Sequence, residues 1–293
     1  MSIIYKLSDH QLHPHLKFAI FDGNHHCDFA DHKHDFSEML LVTEGSGIHS
    51  VASHRYSIKK GDVFIINGDI EHGFSDVDNL SLINLMFDAP VPFFEQPSMR
   101  SLAGYQAMFK VEPIARQTSD YQAKLTLDDE QLPKVRNLLE EIRTEYNQGK
   151  AGFETMVTSM MQQLVVLLSR LYQGQESSKP QTTLALSRAL VHIEKHLTQP
   201  ELNSESIANA AFVSKRQLER LFRQFLDTSP TQYIRDAQLN KAKMLLLANS
   251  EFSIQAVADM SGFSDSNYFS KCFKTRFEMS PMAFRNQVLH EGL

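Results

Sequence analysis

Three histidines and one glutamate in the N-terminal part of the chain have the types and spacing of metal ligands. His32, His34 and Glu38 lie within seven residues of one another, and His72 follows later in the chain. Because side chains alternate along a strand, His32, His34 and Glu38 are expected on the same side of a strand pair. Three imidazoles and one carboxylate suit a divalent transition metal. Taken alone, this set predicts a metal-dependent oxygenase or isomerase.

Positive charge is concentrated in one segment near the C-terminus. The chain carries a net charge of −6, but residues 184–293 hold 13 basic and 11 acidic residues, whereas the preceding part holds 16 and 24. The nine residues from Lys215 to Arg223 alone carry a net charge of +3. DNA phosphates attract such a segment, so a nucleic-acid partner is expected at the C-terminal part and not at the acidic N-terminal part.

The basic segment falls in the second helix of a helix-turn-helix pattern. A helix from Ser204 to Ala211 is followed by a tight turn at Phe212-Val213, and Ser214 begins the second helix, where Gln217 completes a capping box. The apolar residues of that helix form an inward stripe. The residues left outward are Arg216, Gln217, Glu219, Arg220, Arg223 and Gln224. This outward face has the chemistry to enter a major groove.

The same pattern recurs 50 to 51 residues later. Its helices are Ile254 to Met260 and Asp265 to Phe277, and Gly262 suits a turn that needs a positive φ. Its outward residues are Ser266, Asn267, Ser270, Lys271 and Lys274. Each second helix is followed by a Ser-Pro pair that begins another helix, and the first of these spans 231–247. An all-helical bundle with merely solvated Lys and Arg would not need two copies with matched caps and charge.

Short β-stretches separated by Gly, Asn and Asp turns make up much of the N-terminal part. They are Met39 to Thr43, Ile48 to Ala52, Tyr56 to Ile58, Val63 to Ile66 and Leu80 to Phe87. This spacing predicts a barrel or a sandwich. Two helices follow, over 132–147 and 153–172. The second is apolar over more than one stripe, and both a core helix and a dimer interface would explain it.

The expected domains are residues 1–172 and 184–293. The segment between them, 173–183, has no apolar residue and is predicted to be a linker. Cys27 and Cys272 form no disulfide framework, and neither a signal peptide nor a membrane span is found. The expected compartment is therefore reducing cytoplasm.

The final 100 residues resemble the DNA-binding domain of the AraC/XylS family of bacterial regulators. The resemblance lies above all in the run Gly262 to Ser270, in Phe273-Lys274 and in Ser280-Pro281. The glycine usual before the Ser-Pro element is replaced around Asp227 and Glu278. The resemblance and the outward faces together give the expected DNA contacts: Lys215, Arg216, Gln217, Glu219, Arg220, Arg223, Asp265, Ser266, Asn267, Ser270, Lys271 and Lys274.

The histidine-rich part is similar to the two cupin motifs, with Asn67 and Asp69 where the second motif usually has Pro and Gly. In the family resembled, these elements are common in sensor domains that bind sugars or other small effectors without catalysis. The expected effector-binding residues are therefore His32, His34, Glu38 and His72. Three alternatives stay open: metal binding by these four residues for structure or sensing, catalysis, and histidines that only bridge strands.

The expected fold is an α+β two-domain protein, with a cupin-like β-barrel, a helical dimerisation segment and an all-α domain with two helix-turn-helix units. The resemblance, most of all to the rhamnose-responsive activators, implies a transcription activator of sugar-catabolism genes. Its expected partners are double-stranded DNA, a small effector such as a sugar, RNA polymerase and a second copy of the chain. No cofactor, enzymatic activity or membrane contact is expected. A cupin metalloenzyme fused to a DNA-binding domain and an effector-independent regulator are the alternatives.

Overall fold

The computed structural model describes residues 3–88, 96–118, 124–175, 180–248 and 251–291. The chain divides into two compact units, Met1–Ser187 and Arg188–Leu293. The first unit is rich in strands and the second is helical. The expected fold class, with a β-rich N-terminal part and a helical C-terminal part, is confirmed.

The strands of the N-terminal unit form one sheet with the order β1-β3-β7-β4-β6-β8, in which β2 also pairs with β7 and β5 with β4. They are β1 Ile3–Tyr5, β2 Phe18–His25, β3 Phe29–His34, β4 Ser37–Val51, β5 His54–Lys59, β6 Asp62–Ile66, β7 His72–Phe87 and β8 Leu125–Thr126. Short 3-10 helices cover Leu7–Asp9 and Pro14–Leu16. The pair β1 and β3 is parallel, and the other pairs are antiparallel.

Strand β4 is buried on both faces, and its alternation decides which side chains reach the interior of the sheet. Leu40 and Val42 belong to an interior apolar cluster with residues of β5, β6 and β7. Met39 and Leu41 point the other way, into a cluster shared with helices. Because side chains alternate along a strand, Glu38 lies on the same side as Leu40. A carboxylate is thereby placed among apolar residues.

The helices of the N-terminal unit cover the outer face of this sheet. They are α1 Pro97–Arg100, α2 Ala103–Tyr105, a π-helical segment Gln106–Val111, α3 Glu112–Thr118, α4 Gln131–Gln148 and α5 Phe153–Gly174. The predicted inward stripe of α4 is buried, from Val135 to Tyr146. Helix α5 buries one face, including Val157 and Leu168, in the same core. Met156 on another face of α5 is 51% exposed. The helix therefore packs in the core on one side and keeps an apolar residue available for a dimer interface on another.

Three sequence predictions in the N-terminal unit differ from the structure. The stretches predicted at 39–43 and 48–52 are parts of one strand, β4, which runs through Gly45 and Gly47 because β7 pairs with it along most of its length. Strands β1, β2 and β8 were not expected. The predicted linker is partly helical, since Gln173 and Gly174 end α5 and Gln181 begins the next helix. Residues 176–179 of that linker lie outside the described residues.

The C-terminal unit contains the two expected helix-turn-helix copies. Helix α6, Gln181–His196, leads into this unit. The helices that follow are α7 Ser204–Ala210, α8 Lys215–Leu226, α9 Pro230–Ala248, α10 Ile254–Met260, α11 Ser266–Phe277 and α12 Pro281–Glu291. In α8 the predicted inward residues Leu218, Leu221, Phe222 and Phe225 are all buried. Within the described ranges, no helix has the length and apolar character needed to cross a bilayer.

One predicted cap is only half formed. Ser214 Oγ accepts from the backbone N–H of Gln217 at 3.2 Å, as expected, but the Gln217 side chain returns no hydrogen bond to Ser214 among the described residues. A complete capping box occurs one helix earlier, where Asn203 and Ser206 satisfy each other's backbone N–H groups. The Ser-Pro caps are present, since Ser229 and Ser280 each accept from the backbone three residues on.

Candidate effector pocket and DNA-binding surface

A cavity of about 250 Å³ opens inside the N-terminal unit, between β2, β3, β4 and β7. Half of the sixteen lining residues are aromatic or aliphatic and seven are polar, and small-molecule sites usually combine an apolar lining with converging polar groups. The volume lies just below the range of roughly 300–1,000 Å³ for such sites, so the occupant must be small. The polar groups of the lining include His10, His25, His32, His34, Glu38, His72 and Asn84.

Glu38 is the centre of the polar part of this cavity. Its Oε1 lies 3.3 Å from Nε2 of His34 and 2.9 Å from Nε2 of His72, and all three side chains are almost completely buried. Its Oε2 accepts a 2.8 Å hydrogen bond from the amide of Asn84. We name His34, Glu38 and His72 the imidazole–carboxylate cluster. One ligand atom from each lies within 4.8 Å of the others.

The backbone fixes the orientation of each imidazole. Nδ1 of His34 lies 2.5 Å from the carbonyl oxygen of Phe36, and Nδ1 of His72 lies 3.0 Å from that of Ile70. A carbonyl only accepts, so each Nδ1 carries the proton and donates it. Nε2 of His34 and of His72 has no aligned hydrogen-bond partner among the described residues, although both lie near Glu38.

His32 lies at the edge of this cluster and not within it. It stands opposite His72 on neighbouring strands, with the ring centroids 4.2 Å apart, and its Nδ1 lies 3.1 Å from the carbonyl oxygen of Ala30. The set of four predicted from the sequence therefore becomes three converging groups and one neighbour.

The pKa values follow from burial and from these contacts. Burial opposes ionisation of Glu38, but the contacts with His34 and His72 outweigh it and hold the pKa of the carboxyl well below its usual range. Burial acts to lower the pKa of His72, but the contacts with Glu38 and with the carbonyl of Ile70 together outweigh it and raise the pKa. Burial lowers the pKa of His32 to about 4, with His72 contributing in the same direction. The carboxylate of Glu38 is thus anionic, and the facing imidazoles of His72 and His32 differ in basicity.

Sequence reasoning missed two polar residues of this region. Asn84 orients Glu38, and the only signal for it was a lone amide in the apolar run of β7. His49 is completely buried, and its Nδ1 lies 2.5 Å from the hydroxyl of Tyr56. Its ring centroid is 5.6 Å from that of His72. Burial lowers the pKa of His49 well below its usual value.

Helix α8 presents the expected basic face. Arg216, Arg220 and Arg223 are exposed, and their spacing of four and three residues puts them on one side of the helix. None of the three has an ion pair within the described ranges. Lys215 differs, because its Nζ lies 2.9 Å from Oε2 of Glu205. The arginines are the free cations of this helix.

Helix α11 presents a different face. Asn267, Lys271 and Lys274 are exposed, while Ser266 and Ser270 are half-buried. Asp265 precedes the helix as its N-cap, and its Oδ1 accepts from the backbone N–H groups of Asn267 and Tyr268 at 2.7 and 3.0 Å. Asp265 therefore caps α11, and this role engages one of its two carboxylate oxygens.

The turns between the helices match at the level of the backbone. Phe212 and Gly262 occupy the same position in the two copies, and both have a positive φ, of 56° and 92°. Gln238 of α9 donates from Nε2 to the carbonyl oxygens of Leu197 and Gly262, at 3.0 and 3.3 Å. The long helix α9 is thereby tied to the turn of the second copy.

Both parts of the chain match known protein domains. The sequence profile of the AraC-like ligand binding domain matches residues 17–193, more than half of the chain, and that of a helix-turn-helix domain matches residues 207–287. The HTH-type transcriptional activators RhaS of Escherichia coli O1:K1 / APEC and of E. coli strain SMS-3-5 / SECEC are each 30% identical to this chain over 261 residues, covering 88% of this chain and 88% of each relative.

A solved structure is also similar to part of this chain. A transcriptional regulator with an AraC-type DNA-binding domain, from Chromobacterium violaceum, is 33% identical to this chain and covers 39% of it and 95% of its own length, with a TM-score of 0.33. The similarity that extends over most of the chain is that to the two domain profiles and, at 30% identity, to the RhaS activators.

Proposed function

Because this chain belongs to the AraC family of transcription regulators, we propose that it activates sugar-catabolism genes when a small sugar occupies the cavity of its N-terminal unit. Its ligand-binding and helix-turn-helix domains are matched over most of the chain. The curated relatives are named transcriptional activators, and the motifs of both ends resemble the rhamnose-responsive activators. Rhamnose or a related sugar is therefore the first effector to test.

The observation that carries the DNA-binding part is the free cationic face of α8. Arg216, Arg220 and Arg223 are exposed on one side of a helix that a turn holds against its support helix. Arginine pairs with guanine through two hydrogen bonds in the major groove. Helix α11 offers Asn267, Lys271 and hydroxyls instead, so one chain would read two unlike sequences. An asymmetric half-site is expected.

The effector contacts are assigned to His32, His34, Glu38 and His72 in the cavity. Imidazole and carboxylate groups can exchange hydrogen bonds with sugar hydroxyls, and the aromatic lining can cover the apolar face of a sugar ring. The domains are taken as 1–172 for effector binding and dimerisation and 184–293 for DNA binding. The function is regulatory and not catalytic.

Two partners and a location complete the proposal. A second copy of the chain is expected to pack on α5, where Met156 is exposed and Met160, Leu167 and Leu171 are half-buried. A wide apolar face of this kind is buried in many symmetric dimers. RNA polymerase is the expected partner at the promoter, and the cytoplasm is the expected location.

The test couples effector and DNA in one experiment. Purified full-length protein is titrated onto a promoter fragment from beside its own gene, alone and with each member of a sugar panel that includes rhamnose. A sugar that binds more tightly to the activating arrangement of the protein must change the affinity of the protein for DNA. By linkage, DNA must then change the affinity for that sugar by the same factor. A sugar that changes the dissociation constant for DNA supports the proposal. DNA binding that no sugar alters would indicate an effector-independent regulator.

A further inference from the structure

The imidazole–carboxylate cluster has the geometry of a metal site. We propose that His34, Glu38 and His72 hold one divalent transition metal ion, and that oxygen atoms of the effector complete its coordination. The second half of this inference rests on the proposed function, and the first half does not. The sequence led us to expect no metal and left metal binding by these residues together with His32 as an alternative.

The spacing of the three ligand atoms supports this assignment. Bonds of about 2.1 Å to imidazole nitrogen and carboxylate oxygen place neighbouring ligand atoms roughly 3.0 to 3.4 Å apart in octahedral or tetrahedral geometry. The distances from Oε1 of Glu38 to Nε2 of His34 and of His72 are 3.3 and 2.9 Å. Neither nitrogen is aligned for a hydrogen bond. Ligand atoms that point toward a common centre, and not at one another, have this arrangement.

The surroundings also prepare the three side chains as ligands. A metal-binding histidine usually donates its other ring N–H to a carbonyl or carboxylate, which fixes the ring and leaves a lone pair for the metal. Both imidazoles of the cluster do so, to the carbonyl oxygens of Phe36 and Ile70. Asn84 holds Oε2 of Glu38 and leaves Oε1 directed at the imidazoles. The group that supports each ligand is therefore already in place: a carbonyl acceptor for each imidazole and an amide donor for the carboxylate.

The donor set selects the class of metal. Imidazoles suit zinc, iron, nickel and copper, whereas calcium and magnesium prefer oxygen ligands alone. Two histidines and one glutamate also occur around zinc ions that keep an open position for water or substrate. All three residues line the cavity, so the open positions of the ion would face the space that a small ligand enters. Neighbouring hydroxyls of a sugar can fill two such positions.

Metal binding is tested on the full-length protein after dialysis against a chelator. Cobalt(II) is titrated in while its visible absorption is recorded, and zinc(II) is then added in competition. We expect one equivalent of cobalt to bind, and its affinity to fall at least about 100-fold in His34→Ala, His72→Ala and Glu38→Gln. His26→Ala is the matched control, because it removes an exposed imidazole that follows β2 and does not line the cavity, and this variant should bind cobalt as the original chain does.

Circular dichroism of the metal-free variants shows whether each has folded. If a variant does not fold, the original protein still decides the question. Its cobalt spectrum must show nitrogen and oxygen coordination at one ion per chain. An original protein that binds no stoichiometric cobalt or zinc, or a folded Glu38→Gln variant that binds both unchanged, would overturn the metal site.

The effector half has a separate readout. The thermal shift caused by rhamnose, or by another sugar active in the panel, is measured with zinc-loaded and with chelated protein. A shift confined to the loaded protein supports coordination of the sugar, and an equal shift in both forms overturns it. If no sugar acts at all, the proposed function fails, while the cobalt titration still decides the metal site.

Discussion

The hydroxyl of Tyr172 on α5 donates a 2.5 Å hydrogen bond to Oε1 of Glu112 on α3. The other oxygen of Glu112 accepts from Arg116 at 2.8 Å, and the pair Glu112 and Arg116 is completely buried. The guanidinium of Arg116 also lies 5.7 Å from the ring centre of Tyr56, whose hydroxyl contacts His49. A buried polar network thus links the dimerisation candidate α5 to the strands that surround the cavity.

Removing the Tyr172 hydroxyl should therefore destabilise the N-terminal unit. Tyr172→Phe keeps the ring but takes one donor from a buried carboxylate, and hydrogen bonds to charged groups contribute about 1.5–3 kcal/mol. Urea denaturation followed by circular dichroism measures the loss in the free energy of unfolding. A double-mutant cycle with Glu112→Gln isolates the pair. A coupling energy near zero would show that the hydroxyl does not depend on Glu112.

A substitution by alanine at the turn position shared by Phe212 and Gly262 should change the stability differently in the two copies. A Cβ on Gly262 would lie 2.7 Å from Nε2 of Gln238 and 2.9 Å from the carbonyl oxygen of Leu197, at a positive φ. We expect Gly262→Ala to destabilise the C-terminal unit by about 1–3 kcal/mol.

Phe212→Ala is the matched control for that substitution. Phe212 already has a Cβ at the same backbone position and is 81% exposed, so its replacement removes an exposed ring, with its contact to Arg188, and introduces no crowding. Thermal unfolding of the two variants compares them directly. Equal losses of stability in the two variants would show that the groups around Gly262 move away from the new Cβ without a cost in free energy.

Glycine at the C-terminal caps of α8 and α11 should stabilise the C-terminal unit. Asp227 and Glu278 follow α8 and α11 with φ of 48° and 62°, a left-handed conformation that glycine adopts without a Cβ penalty. Asp227→Gly and Glu278→Gly should each raise the free energy of unfolding by up to about 1 kcal/mol. Asp227→Ala, which keeps a Cβ, should give no gain. Differential scanning calorimetry checks the order, and a gain with alanine equal to that with glycine would refute the explanation from backbone strain.

Arg220→Ala should weaken DNA binding mainly at one base pair. Loss of a two-bonded contact with guanine costs about 1–3 kcal/mol of discrimination. Affinity is measured for every single-base variant of the operator once a promoter fragment has been shown to bind. Lys195→Ala, an exposed cation on α6, serves as the control and should leave the base preferences unchanged. Uniform weakening across all variants would make Arg220 a phosphate contact.

Local sequence patterns were enough to predict the helices of the fold. Apolar residues at helical spacing predicted α4, α5, α8 and α11 to within a few residues, because the period of a helix is set by its own backbone hydrogen bonds. The strands were harder to predict. The segment Gly45 to Gly47 has the composition of a turn, yet β4 runs through it, since its pairing with β5 and β7 comes from residues distant in sequence.

The sequence by itself determined the kinds of side chain available: three histidines and a glutamate at strand spacing, and two basic or amide faces on duplicated helices. Only the tertiary structure decided which of them meet. Glu38 pairs in register with Met86, and His72 with His32, so Glu38 and His72 come together across the interior and not along a ladder. Asn84 reaches Glu38 because it stands opposite Leu40 on the neighbouring strand. These contacts depend on strand register, which long-range burial fixes and local sequence does not.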